Sequence, residues 1–138
     1  QKLKYNMKSS NTMKQGSLTL KSRMLSFRYA FNGIGRFFRE EPNARIHLAA
    51  TAGVAAGIFY LHITGTELLA LLIVTGAVWA AEIMNTAIEH LVDFVSPGFH
   101  PKAGLIKDLA AGAVLVTSIT ALSTGLIIFL PKILDHVI

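Results

Sequence analysis

Polar and apolar positions fall into blocks along this chain instead of alternating. Residues 1–20, QKLKYNMKSSNTMKQGSLTL, are polar and basic without a clear period, which reads as a mobile tail. From about residue 22 to residue 40 the pattern turns helical. Leu25, Phe27, Tyr29, Ala30, Phe31, Ile34, Phe37 and Phe38 make a broad apolar face, and Arg23, Arg28, Arg36 and Arg39 a basic one. A basic, aromatic-rich amphipathic helix suits the plane of a membrane interface. Three apolar runs follow, at about 46–66, 67–92 and 105–131. The first has no Asp, Glu, Lys or Arg. At about 1.5 Å rise per residue it spans a hydrocarbon core of ~30 Å. The pattern therefore predicts an all-α integral membrane chain, with a surface helix, three transmembrane helices and one membrane domain over 21–138.

The second apolar run ends in WAAEIMNTAIEHLVD, residues 79–93, which holds Glu82, Asn85, Glu89 and Asp93. At about 100° per residue, and with Glu82 at zero, Asn85 falls near −60°, Glu89 near −20° and Asp93 near +20°. All four share an arc of about 80°. A carboxylate inside a bilayer costs several kcal/mol unless paired, protonated or wet, and such groups face a bundle interior or an aqueous cavity. A structural hydrogen-bond stripe between helices is the bland alternative, and a non-enzymatic small membrane protein with the stripe as an ion path is a second reading. The outer half of the same run, LLALLIVTGAVWA, offers only Thr75 as a hydroxyl. The stripe thus stops halfway, as a site facing one membrane surface does.

Charge fixes which surface. Residues 1–45 carry ten Lys/Arg against two Glu, whereas 46–138 carry three Lys against six Asp/Glu. Positive segments flanking spans stay cytoplasmic, so the N-terminus is expected inside, the 62–66 turn outside and the 94–107 connection inside. The expected home is a bacterial cytoplasmic membrane, crossed several times. The first 45 residues contain no apolar stretch of the kind a secretory signal uses. Only 15% of the residues are charged, below the roughly 25% of soluble domains. The short basic segment leads straight into apolar spans, which argues against a nucleic-acid partner. With no cysteine, disulfides, thiolate metal sites and cysteine nucleophiles are excluded.

Carboxylates near the cytoplasmic surface can hold Mg²⁺, a hard cation that usually bridges to nucleotide phosphates. A deeper carboxylate can take a proton from a substrate hydroxyl. Lys107 could meet phosphate, His100 could add a donor, and Glu40 and Glu41 place more acid on the same side. That set suits phosphoryl transfer to a hydroxyl at the bilayer surface, hence to a lipid. There is no GxxxxGK[ST] and no GxGxxG. The five histidines, at 47, 62, 90, 100 and 136, have no metal-ligand spacing. His47 and His62 read as snorkelling at the two ends of the first span, and His90 lies off the acidic arc.

The segments FRYAFNGIGRFFREEPNARIH, AEIMNTAIEHLVD and SPGFHPKAGLIKDLAAGAVL resemble the small prokaryotic diacylglycerol kinase and undecaprenol kinase family of membrane enzymes. The resemblance covers most of residues 23–130. It implies a homotrimer with active sites between subunits, ATP as co-substrate and Mg²⁺ as cofactor. It implies Glu82 as general base on the lipid hydroxyl, with Asn85 orienting it or touching the γ-phosphate, and Glu41 and Glu89 holding Mg²⁺ on ATP. Tyr29, Asp93, Gly98, Phe99, His100, Lys107 and Asp108 are implied on the nucleotide side, and Asn43 and Arg45 on the lipid side. The SPGFHP connection is similar to the branch found in Gram-positive bacteria and Bacteroidetes. In the Gram-positive branch undecaprenol is the favoured lipid.

Overall fold

The computed structural model describes residues 20–137. All regular structure within them is helical: α1 (Leu20–Glu40), α2 (Pro42–Tyr60), α3 (Gly65–Val95) and α4 (Pro101–Val137). The basic tail, apart from Leu20, lies outside the described residues. The chain divides into two units, 1–35 and 36–138. The described part of the first is the larger part of α1, where Met24, Phe27, Tyr29 and Phe31 are exposed. The second holds the last turn of α1 and the other three helices.

The helix boundaries have local causes. A residue before proline is pushed out of the α region, and Glu41, before Pro42, is extended at φ −97° and ψ 114°. α1 therefore stops at Glu40. Pro42 opens α2 in its first turn, where a missing N–H is no loss. The first apolar run, expected at 46–66, is helical from Pro42 to Tyr60, because His62 (φ 51°) and Gly65 (φ 62°) take left-handed conformations in the turn to α3. The N–H groups of Leu61 and Ile63 close that turn onto the carbonyls of Gly57 and Ile58, at 2.9 and 3.0 Å.

α3 runs from Gly65 to Val95, longer than the expected 67–92. Its 31 residues give about 46 Å, more than a ~30 Å hydrocarbon core. Ser96 ends it by donating its N–H to the Val92 carbonyl at 2.8 Å. The connection expected over 94–107 shrinks to 96–100, since Pro101 starts α4; Lys102 and Lys107 sit on a helix, not in a loop. α4 also passes through Pro131, where the third run was expected to end. It is anchored on both sides of that proline. Ile128 and Phe129 pack into a cluster with Ile63, Leu71 and Leu68, and Lys132 pairs with Glu67 at 3.1 Å.

α3 and α4 pack on one another more extensively than any other helix pair. Both are long and apolar enough to cross a membrane, over Gly65–Val95 and Pro101–Asp135. α2, read as the first of three spans, does not reach that hydropathy. Its PNARIHLAATAGVAAGIFY sequence is dominated by alanine and glycine and opens on polar residues. Polarity is otherwise inverted relative to a soluble bundle. Leu69, Leu72, Ile73, Leu122 and Ile127 are exposed on α3 and α4, while Glu82 is the one buried charged residue among those described. Apolar outer faces of this extent mark contact with lipid or with other helices.

Candidate active site

The acidic stripe follows from the period of α3. Glu82, Asn85, Glu89 and Asp93 recur at three- and four-residue steps on one uninterrupted helix, and each lies in a different setting.

Glu82 is the deepest. Its side chain is 5% exposed, and its Oε1 lies 2.5 Å from Nε2 of His47 on α2. His47, expected to snorkel at a span end, instead reaches across to α3. A buried carboxylate demands a partner, and the facing turn of α2 supplies one. Trp79, one turn before Glu82, holds this contact in place. Its indole N–H donates to the Thr51 hydroxyl at 3.0 Å. Its ring meets His47 edge-on at 6.1 Å and touches Phe37 and Phe38 at 6.2 and 5.2 Å. An apolar cavity of about 400 Å³ lies on the His47 side of the pair, walled by His47, Thr51, Val78, Trp79, Ser118 and Phe129.

One turn on, Asn85 donates from Nδ2 to Glu89 Oε1 at 2.8 Å. Its own Oδ1 is buried with no hydrogen-bond partner. Glu41, at the start of α2, has its Oε1 3.8 Å from Nε2 of His90. His90, off the acidic arc by sequence, thus meets acid from another helix. Glu41 makes no side-chain bond to the amides of α2, so helix capping does not compete for its oxygens.

The far end of the stripe is wet. Asp93 Oδ1 accepts from Lys107 Nζ at 2.5 Å, with side chains 64% and 35% exposed. They border a cleft of about 380 Å³ walled by Gly98, Phe99, His100 and Asp108 as well. Nδ1 of His100 accepts from the Lys102 N–H at 3.2 Å. All the residues implied on the nucleotide side, apart from Tyr29 and the metal pair, thus line one cleft between the end of α3 and the start of α4. Asn43 and Arg45 are exposed on the first turn of α2. Tyr29, in the first unit, is exposed on α1.

The donor chemistry near Glu89 suits Mg²⁺. Carboxylates are hard oxygen ligands, and Asn85 both orients Glu89 and leaves a free carbonyl oxygen beside it. Among the described residues no three His, Asp or Glu side chains converge as a closed cage. Mg²⁺ is normally bound by one or two carboxylates together with substrate phosphates, not by an all-protein cage.

Two missed features share one cause. The His47–Glu82 and His90–Glu41 contacts join helices, and a period along one helix carries no information about the next. The available signal was indirect: a buried carboxylate in an apolar helix needs a partner, and few polar side chains lie at its depth.

The profile of prokaryotic diacylglycerol kinase matches residues 28–129, which include every site residue named above. An undecaprenol kinase from Bacillus subtilis (strain 168) is 39% identical over 108 residues, covering 78% of this chain and 88% of that protein. A diacylglycerol kinase from Synechocystis is 35% identical over 113 residues, covering 81% of this chain and 65% of that protein. A match over most of its length, spanning the whole acidic stripe, makes this chain a member of the prokaryotic diacylglycerol kinase family.

Proposed function

We infer that this chain is an ATP-dependent lipid kinase, moving the γ-phosphoryl group of ATP to the hydroxyl of a membrane lipid. Its family carries this reading. The observation that supports a site on the stripe is the buried Glu82, paired with His47 on the wall of an apolar cavity, while the far end of the stripe opens on a second cleft.

Glu82 is the proposed general base. As the lipid oxygen bonds to the γ-phosphorus, its proton passes to the Glu82 carboxylate. The bond from that phosphorus to the β,γ-bridging oxygen breaks, and ADP leaves with the electron pair. Asn85 orients Glu89 through its 2.8 Å hydrogen bond, and its unpartnered Oδ1 is a further oxygen donor. Glu41 and Glu89 are the proposed Mg²⁺ ligands. When bound, Mg²⁺ neutralises charge on the transferring phosphates. Lys107 and the cleft residues Asp93, Gly98, His100 and Asp108, with Tyr29, take the nucleotide; Asn43 and Arg45 flank the lipid. An ion path finds no support, since the family is enzymatic.

Relatives act, by name, on undecaprenol and on diacylglycerol. The SPGFHP connection and the higher identity to the undecaprenol kinase favour a long-chain prenol. We also propose three crossings, with α2 as the first, a cytoplasmic N-terminus in a bacterial inner membrane, and a homotrimer with shared active sites. The basic head and Lys102 and Lys107 favour that orientation. The apolar outer faces of α3 and α4 and the open set around Glu89 favour assembly.

The test is phosphate transfer from labelled ATP to undecaprenol and to diacylglycerol, side by side in mixed micelles with Mg²⁺. Faster transfer to undecaprenol is expected, and faster transfer to diacylglycerol overturns the lipid assignment. No transfer to either from folded protein overturns the kinase reading.

A further inference from the structure

We propose that His47 is the positioning residue of the Glu82 carboxyl group, fixing one of its oxygens so that the other faces the lipid hydroxyl. This rests on the reading of Glu82 as the base.

A glutamate side chain has three rotatable bonds, and where it is buried, as Glu82 is, a polar partner is what selects one arrangement. Here that partner lies 2.5 Å from Oε1. The carboxylate can only accept, so Nε2 of His47 is the donor. The imidazole has little freedom of its own. The Trp79 ring packs on it in a T-shaped contact, and Trp79 is tied to Thr51 on α2 and hemmed by Phe37 and Phe38. Phe37 and Ala44 are buried around the start of α2. The lock therefore runs from the α1–α2 corner through Trp79 to His47 and then to the carboxylate.

Position matters because a displacement of about 1 Å at a reacting group can cost roughly 10²-fold in rate. With Oε1 occupied by His47, Oε2 is the oxygen left for the substrate proton. His47 also walls the apolar cavity, so a hydroxyl carried on an apolar chain lying there arrives beside the pair. His47 touches the base and not the reacting atoms. Its loss should lower kcat and leave the nucleotide side unaffected.

The test uses the full chain in lipid micelles. His47→Ala should lower kcat by about 10- to 100-fold while KM for Mg-ATP stays within about twofold. His47→Gln places an amide donor near the same point and should recover most of that loss. Some loss of folded protein is expected in His47→Ala on either reading, but a role limited to holding helices together predicts kcat per folded molecule unchanged. A second readout needs no turnover. The ring ¹⁵N resonances of His47 should shift in Glu82→Gln and hold still in Glu89→Gln.

Unchanged kcat in His47→Ala beside an inactive Glu82→Gln overturns the positioning role alone. Full activity in Glu82→Gln overturns the base and the positioning role together. Ring resonances indifferent to Glu82→Gln overturn the pairing itself.

Discussion

The two ends of the acidic stripe carry the same kind of contact in opposite media. Glu82 meets His47 and Asp93 meets Lys107, each at 2.5 Å. The first pair is 5% and 20% exposed, the second 64% and 35%. Eleven residues of helix, about 16 Å, separate them. In the dry setting a lost partner leaves a buried polar group uncompensated, which is strongly destabilising. In the wet setting water replaces the partner, and an exposed pair contributes about 0–1 kcal/mol. A dry pair suits holding one geometry, and a wet pair suits the proposed task of admitting and releasing a charged ligand. A kinase that joins a lipid to a nucleotide needs both.

The sharpest way to break this contrast is Glu82→Gln. Loss of the proposed base should lower kcat by about 10²–10⁴-fold, with Mg-ATP binding, measured by nucleotide titration, nearly intact. An equal loss of Mg-ATP affinity would move Glu82 from the lipid side to the metal. Glu89→Gln should do the opposite, raising KM for Mg-ATP about tenfold and responding to added Mg²⁺. An unchanged KM across a Mg²⁺ series removes Glu89 from the ligand set. The smallest effect belongs to the wet end. Lys107→Ala should raise KM for ATP only several-fold, more at low salt than at high. In thermal melts it should change stability by less than about 1 kcal/mol. A large stability loss there would erase the distinction between the two ends.

Much of this contrast is legible in one dimension. The arc shared by Glu82, Asn85, Glu89 and Asp93 is a property of a single helix, and a period of 3.6 residues exposes it. The gathering of Asp93, Gly98, His100, Lys107 and Asp108 follows from a short connection between two long helices. Other features depend on more than one segment. His47 looked like a residue at the end of a span because nothing along α2 announces Glu82 on α3. The length of α4 was underread because Pro131 is a strong local stop signal. That signal was outweighed by contacts made elsewhere in the chain, Phe129 with the Ile63–Leu71 cluster and Lys132 with Glu67. α2 starts ahead of its uncharged run because Pro42, and not the last charge, sets the first turn.

Glu41 stands where a helix ordinarily has its cap, yet it leaves the first amides of α2 unsatisfied by its side chain. A shorter acid would close on them. Glu41→Asp should therefore produce a chain that melts higher, by the order of 1 kcal/mol that a good N-cap contributes, and binds Mg-ATP less well. With Glu41 in its proposed metal role, one methylene less would mean a sturdier protein and a poorer catalyst. Keeping the longer side chain at this corner means declining a stability that is one substitution away.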